Sequence, residues 1–268
     1  FSVGVAVADK FVDYRSWGVN LSREYRGVAE PFLLPLPMEV KEDIRGLESD
    51  ILRTLRVPAG KKVVVTAGAA EKYRPTGKWS FSSLAAGILK QEDRVLLAIG
   101  IDDSHAHWRS ISAAFRGRAF GVGVLNHEDF KACLAASDIV IDSYPVGGNT
   151  TLIDALSLGK PVLSLSGPDA QMDYIRSSPA YCSSREELFS RTDFLLAHPS
   201  ERRKHVEAVT ACLVANNSVK VWRERIAELY GSLAGRRHEV HGFRSVLNQQ
   251  PGDLDVFLAG QNKSTCRR

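Results

Sequence analysis

One stretch constrains the fold of this chain more than any other. It runs from Asp138 to Leu165 and reads Asp-Ile-Val-Ile-Asp-Ser-Tyr-Pro-Val-Gly-Gly-Asn-Thr-Thr-Leu-Ile-Asp-Ala-Leu-Ser-Leu-Gly-Lys-Pro-Val-Leu-Ser-Leu. Asp138 to Asp142 is a short apolar run ending in an acid, the pattern of a strand buried in a parallel sheet. Tyr144-Pro145 stops it, and Gly147-Gly148 permits a tight turn with positive φ. Asn149 or Thr150 is then placed to cap a helix whose apolar side carries Leu152, Ile153, Leu156 and Leu158. Gly159 falls where a helix-ending glycine belongs, and Pro161 leads into another strand, Val162 to Leu165.

A glycine turn opening a helix is suited to holding a phosphate. The first amides of a helix have no partner inside it, and the helix dipole adds partial positive charge there. Without a Cβ, Gly147 and Gly148 let a bulky anion reach the main chain, and the hydroxyls of Thr150 and Thr151 add donors. Asp154 lies four residues after Thr150, one turn further along the same face. A carboxylate repels phosphate but accepts hydrogen bonds from a ribose diol. These residues point to a nucleotide diphosphate lying across the carboxyl ends of the strands.

The segment from Asp142 to Val162 resembles the donor-binding segment of the O-linked N-acetylglucosamine transferases and their bacterial protein-glucosylating relatives. These are GT-B glycosyltransferases, whose sugar-nucleotide half is Rossmann-like. The resemblance implies that Thr150 and Thr151 contact the diphosphate and that Asp154 holds the ribose. Asn149 stands where the animal enzymes have histidine and the bacterial relatives asparagine. It also implies that a lysine in the loop after the first strand contacts the leaving group. Lys72, in Ala67-Gly-Ala-Ala-Glu-Lys-Tyr-Arg-Pro, is the cation that fits, with Arg74 as a substitute, although the residues around it depart from the family. The turn before residue 127 is where the family reads the base, so His127 or Phe130 is expected to stack on or hydrogen-bond a uracil. Asn126 with Asp129 also explains that turn as a simple helix cap. Ser166-Gly167-Pro168-Asp169 reads as a plain turn, with a place in the sugar pocket as the other reading.

The rest of the chain fits this frame. From Lys61 onward, strands (Val63–Thr66, Arg94–Ile99, Arg118–Val122) alternate with helices (Phe81–Leu89, Ser104–Phe115, His127–Ala136). That alternation predicts an α/β fold: a Rossmann-like parallel sheet with helices on both faces. After Leu165 helices dominate: Glu186–Leu196, Pro199–Val214 and Val219–Leu233. We read residues 1–57 as the end of an N-terminal half plus a proline-stiffened linker, with a charged helix over Lys41–Leu55. Residues 58–233 read as the nucleotide-sugar domain, and 234–268 as a polar, loosely ordered tail. Because the chain opens mid-strand on Phe1, we expect a piece of a longer protein whose other half would supply any catalytic base.

Composition excludes several classes. Among 268 residues, 44% are hydrophobic and 25% charged, with a net charge of +4, ordinary for a globular protein. No nucleic-acid partner is implied, and without a run of ~18 apolar residues no membrane span is expected. The four cysteines lack metal-ligand spacing, and Cys133 and Cys212 read as reduced core residues, consistent with a cytoplasmic protein. Asp102-Asp103 and the His105, His107 pair do not complete a metal set. The fingerprints of P-loop nucleotidases, nicotinamide dehydrogenases and α/β-hydrolases are missing. The expectation is a glycosyltransferase donor half needing no cofactor, with a UDP-sugar as co-substrate. Its acceptor would be a protein or other hydroxyl or amide group. The alternative is a non-catalytic Rossmann-like nucleotide- or protein-binding module.

Overall fold

The computed structural model describes residues 10–13, 30–34, 37, 50–166 and 178–233. The tail from 234, most of 1–49 (including the opening strand expected at 2–8 and most of the helix from 41) and the loop at 167–169 lie outside the described residues. Strands β1 (Lys10–Asp13) and β2 (Glu30–Leu33) form a two-stranded parallel ladder of their own. The short helix α1 (Ile51–Thr54) leads into the main sheet.

That sheet is built as alternating units. In order they are β3 (Lys62–Ala67), α2 (Phe81–Ile88), β4 (Arg94–Ile99), α3 (Arg109–Ala114), β5 (Ala119–Gly121), α4 (His127–Ala136) and β6 (Ile139–Ile141). Then follow α5 (Asn149–Ser157), β7 (Val162–Leu165), β8 (Tyr181–Cys182), α6 (Arg185–Ala197), α7 (Pro199–Asn217) and α8 (Val219–Leu233). The strand order is β5-β4-β3-β6-β7-β8, and every pairing is parallel.

Each central strand is apolar on both sides because each side meets a helix layer. Val63, Val65, Leu97, Val140 and Val162 face one layer with Leu152, Leu156, Cys133 and Leu213. The alternate residues Val64, Leu96, Ile139, Ile141 and Leu163 face the other, with Phe81, Leu84, Ile111 and Leu188. The chain steps outward from β3 to β5 with α2 and α3 on one face, then returns to the other side of β3. That reversal puts α4 and α5 on the opposite face and makes the carboxyl ends of β3 and β6 the switch point of the sheet.

Four details differ from expectation. α3 begins at Arg109 rather than Ser104, because the Asp102 carboxylate takes the Ser104 amide at 2.8 Å and winds 102–108 into turns. The cap of α5 is Gly148, so neither Asn149 nor Thr150 precedes the helix. Gly148 has φ −107°, and neither it nor Gly147 uses the positive-φ freedom expected; the Tyr144–Pro145 peptide bond is cis. β8 adds a sixth strand to the sheet in the stretch after Leu165 where helices were expected to dominate. Cys133 is buried and Cys212 half-buried. No helix among the described residues is long and apolar enough to cross a membrane.

Candidate functional site

At the carboxyl ends of β3 and β6 two loops come into contact. After β3, the chain passes Gly68 and enters a 3-10 turn over Ala70–Tyr73 that carries Lys72. After β6, it runs through Asp142 to Gly148 and into α5. The two are stitched together: the Val146 amide donates to the Lys72 carbonyl at 3.4 Å, and Lys72 Nζ donates to the Gly147 carbonyl at 3.0 Å. The half-buried Lys72 ammonium therefore lies beside the start of α5.

The glycines here lie close to their neighbours, Gly68 more tightly than Gly148. A Cβ on Gly148 would stand 3.4 Å from both the Ala67 carbonyl and Asp142 Oδ1, and 3.5 Å from Lys72 Nζ. On Gly68 it would meet Lys72 Cδ and Ser143 Oγ at 3.0 Å. On the far side of Gly68, the Gly100 position is tighter still, at 2.4 Å from the Gly68 carbonyl.

Asp142 is the feature that sequence reading did not select. It is buried, and its carboxylate accepts the Gly148 amide at 2.6 Å and the Ser164 hydroxyl at 3.0 Å. Burial pushes its pKa up to about 7, opposed by those hydrogen bonds and by the charge of Lys72. An acid closing an apolar run was the available signal. Such an acid is as readily a strand-end residue, and only the fold puts it beneath the helix start.

α5 begins with no side chain capping it. By contrast, Ser80, Asn126 and Ser184 cap α2, α4 and α6 through their side chains. Thr150 is exposed and Thr151 half-buried in the first turn, while the Asn149 side chain is outside the described residues. One turn on, Asp154 is half-buried; burial raises its pKa, and the charges of Lys131 and His127 on α4 pull it back. Asp154 and His127 are thus electrostatic neighbours across two helices. His127 is exposed as the first residue of α4, and Asn126 holds the cap, accepting the Asp129 amide at 2.8 Å. Phe130 is half-buried and packs against the core, and Arg74 is exposed.

The rejected metal candidates have other work. Asp103 accepts the Gly121 amide at 2.7 Å and the Ser112 hydroxyl at 2.8 Å. No cluster of potential metal ligands occurs among the described residues. A separate cleft of about 650 Å³ opens at the opposite, amino end of the sheet, lined by Asp138, Lys160, Arg202 and Arg203 among others.

The six-stranded parallel sheet, in Rossmann-like order with helices on both faces, matches the Rossmann-like half of a GT-B fold. No family model and no curated protein matches the chain. Solved structures do. Sucrose-phosphate synthase from Thermosynechococcus elongatus superposes with a TM-score of 0.61 at 17% identity, over 85% of this chain and 59% of that one. The Anabaena protein HepE, in complex with UDP and glucose, gives 0.60 at 14% identity, over 82% and 62%. An O-GlcNAc transferase from Thermobaculum terrenum gives 0.55 at 18% identity, over 84% and 44%. The chain spans less than two thirds of the length of these structures. They share a fold with it, and the O-GlcNAc transferase is not singled out among them.

Proposed function

We propose that this chain is the donor-binding half of a GT-B glycosyltransferase that uses a UDP-sugar, N-acetylglucosamine or glucose being the sugar its motif favours. The observation that carries the reading is the meeting, at the switch point of the sheet, of Lys72 with the uncapped start of α5. A diphosphate seated there would take the first-turn amides and the Thr150 and Thr151 hydroxyls, with the Lys72 ammonium beside it. Asp154 would accept from the ribose hydroxyls, and His127 would lie near the base. Phe130 in this reading shapes the wall behind the base. Gly147 and Gly148 keep the main chain open to the ligand.

In the transfer step, an acceptor hydroxyl or amide forms a bond to the anomeric carbon as the bond to the β-phosphate oxygen breaks. The electron pair of that bond leaves with UDP, and the acceptor's proton goes to a base outside this half. Negative charge grows on the leaving diphosphate, so a fixed cation and a helix start there stabilise the transition state more than the ground state. This chemistry needs no bound metal.

The test is calorimetric titration of the chain with UDP and UDP-sugars. Wild type is expected to bind, and Asp154→Ala or Thr150→Ala to weaken binding by about 1–2 kcal/mol each, the worth of a charge-assisted or buried hydrogen bond. Absence of UDP binding, or binding indifferent to both changes, would favour the non-catalytic module instead.

A further inference from the structure

Asp142 sits directly beneath the proposed diphosphate seat, and its geometry is that of a part made to hold something else in place. Its two carboxylate oxygens are divided between elements: Oδ1 takes the amide of Gly148, the residue from which α5 starts, and Oδ2 takes the hydroxyl of Ser164 on β7. The side chain is buried, so neither contact is shared with bulk water. Asp142 therefore occupies the Gly148 amide and fixes the direction in which α5 leaves the sheet. The amides of the first helical turn are left for a ligand.

We propose that Asp142 is the positioning residue of this anion seat, and that seating a diphosphate there takes up a proton at Asp142. This deepens the donor-site reading and rests on it. The physical reason is proximity of like charges. A diphosphate placed at the start of α5 brings negative charge to within a few bonds of a buried carboxylate that water cannot screen. Protonating Asp142 removes that repulsion without dismantling the anchor, since a neutral carboxyl still accepts from Gly148 and can donate to the Ser164 oxygen. Proton and ligand are then linked, each tightening the other.

The groups facing Asp142 are consistent with this. Lys72, from the turn after β3, lowers its pKa, and Ser143 and Ser164 add hydrogen bonds that favour the charged form. The buried Tyr73 phenol, itself pushed up by burial and by Asp142, stays neutral throughout the physiological range. Burial outweighs the stabilising contacts and leaves Asp142 near pH 7, where a ligand's charge can shift it.

The experiment measures UDP-glucose affinity of the full chain from pH 6 to 8 by calorimetry in buffers of different ionisation enthalpy. The sugar diester is the right probe, because UDP's own terminal phosphate titrates near pH 6. Wild type should bind roughly fivefold to tenfold tighter at pH 6 than at pH 8, with net proton uptake. Asp142→Asn keeps both hydrogen bonds but no charge; it should bind at every pH about as wild type does at pH 6, with no proton uptake. Asp142→Ala removes the anchor and should bind more weakly than Asp142→Asn at all pH values, with circular dichroism reporting whether it folds. If Asp142→Asn retains the wild-type pH profile and proton uptake, the inference is overturned while the donor-site reading stands. If wild type binds neither UDP-glucose nor UDP-N-acetylglucosamine at any pH, both fall.

Discussion

At the scale of single residues, the buried carboxylate of Asp142 makes a prediction about stability that needs no ligand. Its pKa is about 7 in the folded chain, against an ordinary value of 3.8. Between those two values the folded state holds a proton that the unfolded state releases. The group's stabilising contribution is thus fully present below about pH 4 and is lost as pH rises through 7. Asp142→Asn carries no such dependence. In chemical denaturation it should gain on wild type at pH 8, and that advantage should shrink by roughly 2–3 kcal/mol on going to pH 5. A constant gap at the two pH values would mean that Asp142 titrates as an ordinary exposed acid. Why the sequence pointed to Lys72 and not to Asp142 is a matter of chemistry. A loop cation after a strand advertises an anion, whereas an acid at a strand end has many duties, and its partners Gly148 and Ser164 lie on other elements.

For elements, the end of α5 was more legible than its start. α5 stops as its glycine requires: the Gly159 amide donates to the Leu156 carbonyl and the Lys160 amide to the Ala155 carbonyl, both at 2.9 Å, with Gly159 at φ +68°. Its start was misplaced by a residue because Asn149 and Thr150 are both good caps on propensity. The Gly148 amide is instead held by the Asp142 carboxylate at 2.6 Å, a tertiary contact that no local pattern encodes. The same distinction separates two glycine substitutions. Gly159→Ala meets nothing within 4 Å, so its cost should be that of left-handed backbone alone, about 1 kcal/mol. Gly100→Ala combines φ +90° with a Cβ 2.4 Å from the Gly68 carbonyl, a backbone atom that cannot step aside. It should cost about 3 kcal/mol or more and loosen the loop that carries Lys72. Urea denaturation of the two variants side by side checks the ranking, and equal losses would contradict it.

For the whole molecule, the alternation of strands and helices from Lys62 to Leu165 was readable because each strand is apolar on both sides and each helix on one. β8 was not, being two residues long and recognisable only by its pairing of Tyr181 with Ser164 and Cys182 with Leu165. Strand order is likewise invisible in sequence, yet it decides where a ligand goes. With β3 and β6 adjacent and the chain departing from them in opposite directions, the proposed site falls at their carboxyl ends. The sheet has a rival at its other end. The cleft between Asp138, Lys160 and Arg202 is also basic, burial lowers the pKa of Lys160, and Arg202 holds Asp138 at 2.9 Å. An anion drawn by charge alone would visit either end, while one read by uncapped helix amides and Asp154 would choose the first. Hydrogen exchange separates them. Saturating UDP-glucose should slow amide exchange in 68–73, 123–128 and 147–154, and leave 137–138, 159–161 and 199–207 unchanged. Protection at the amino-end cleft instead would mean that the helix start at Gly148 is only a structural junction, and that ligand recognition in this domain lies on the opposite side of the sheet.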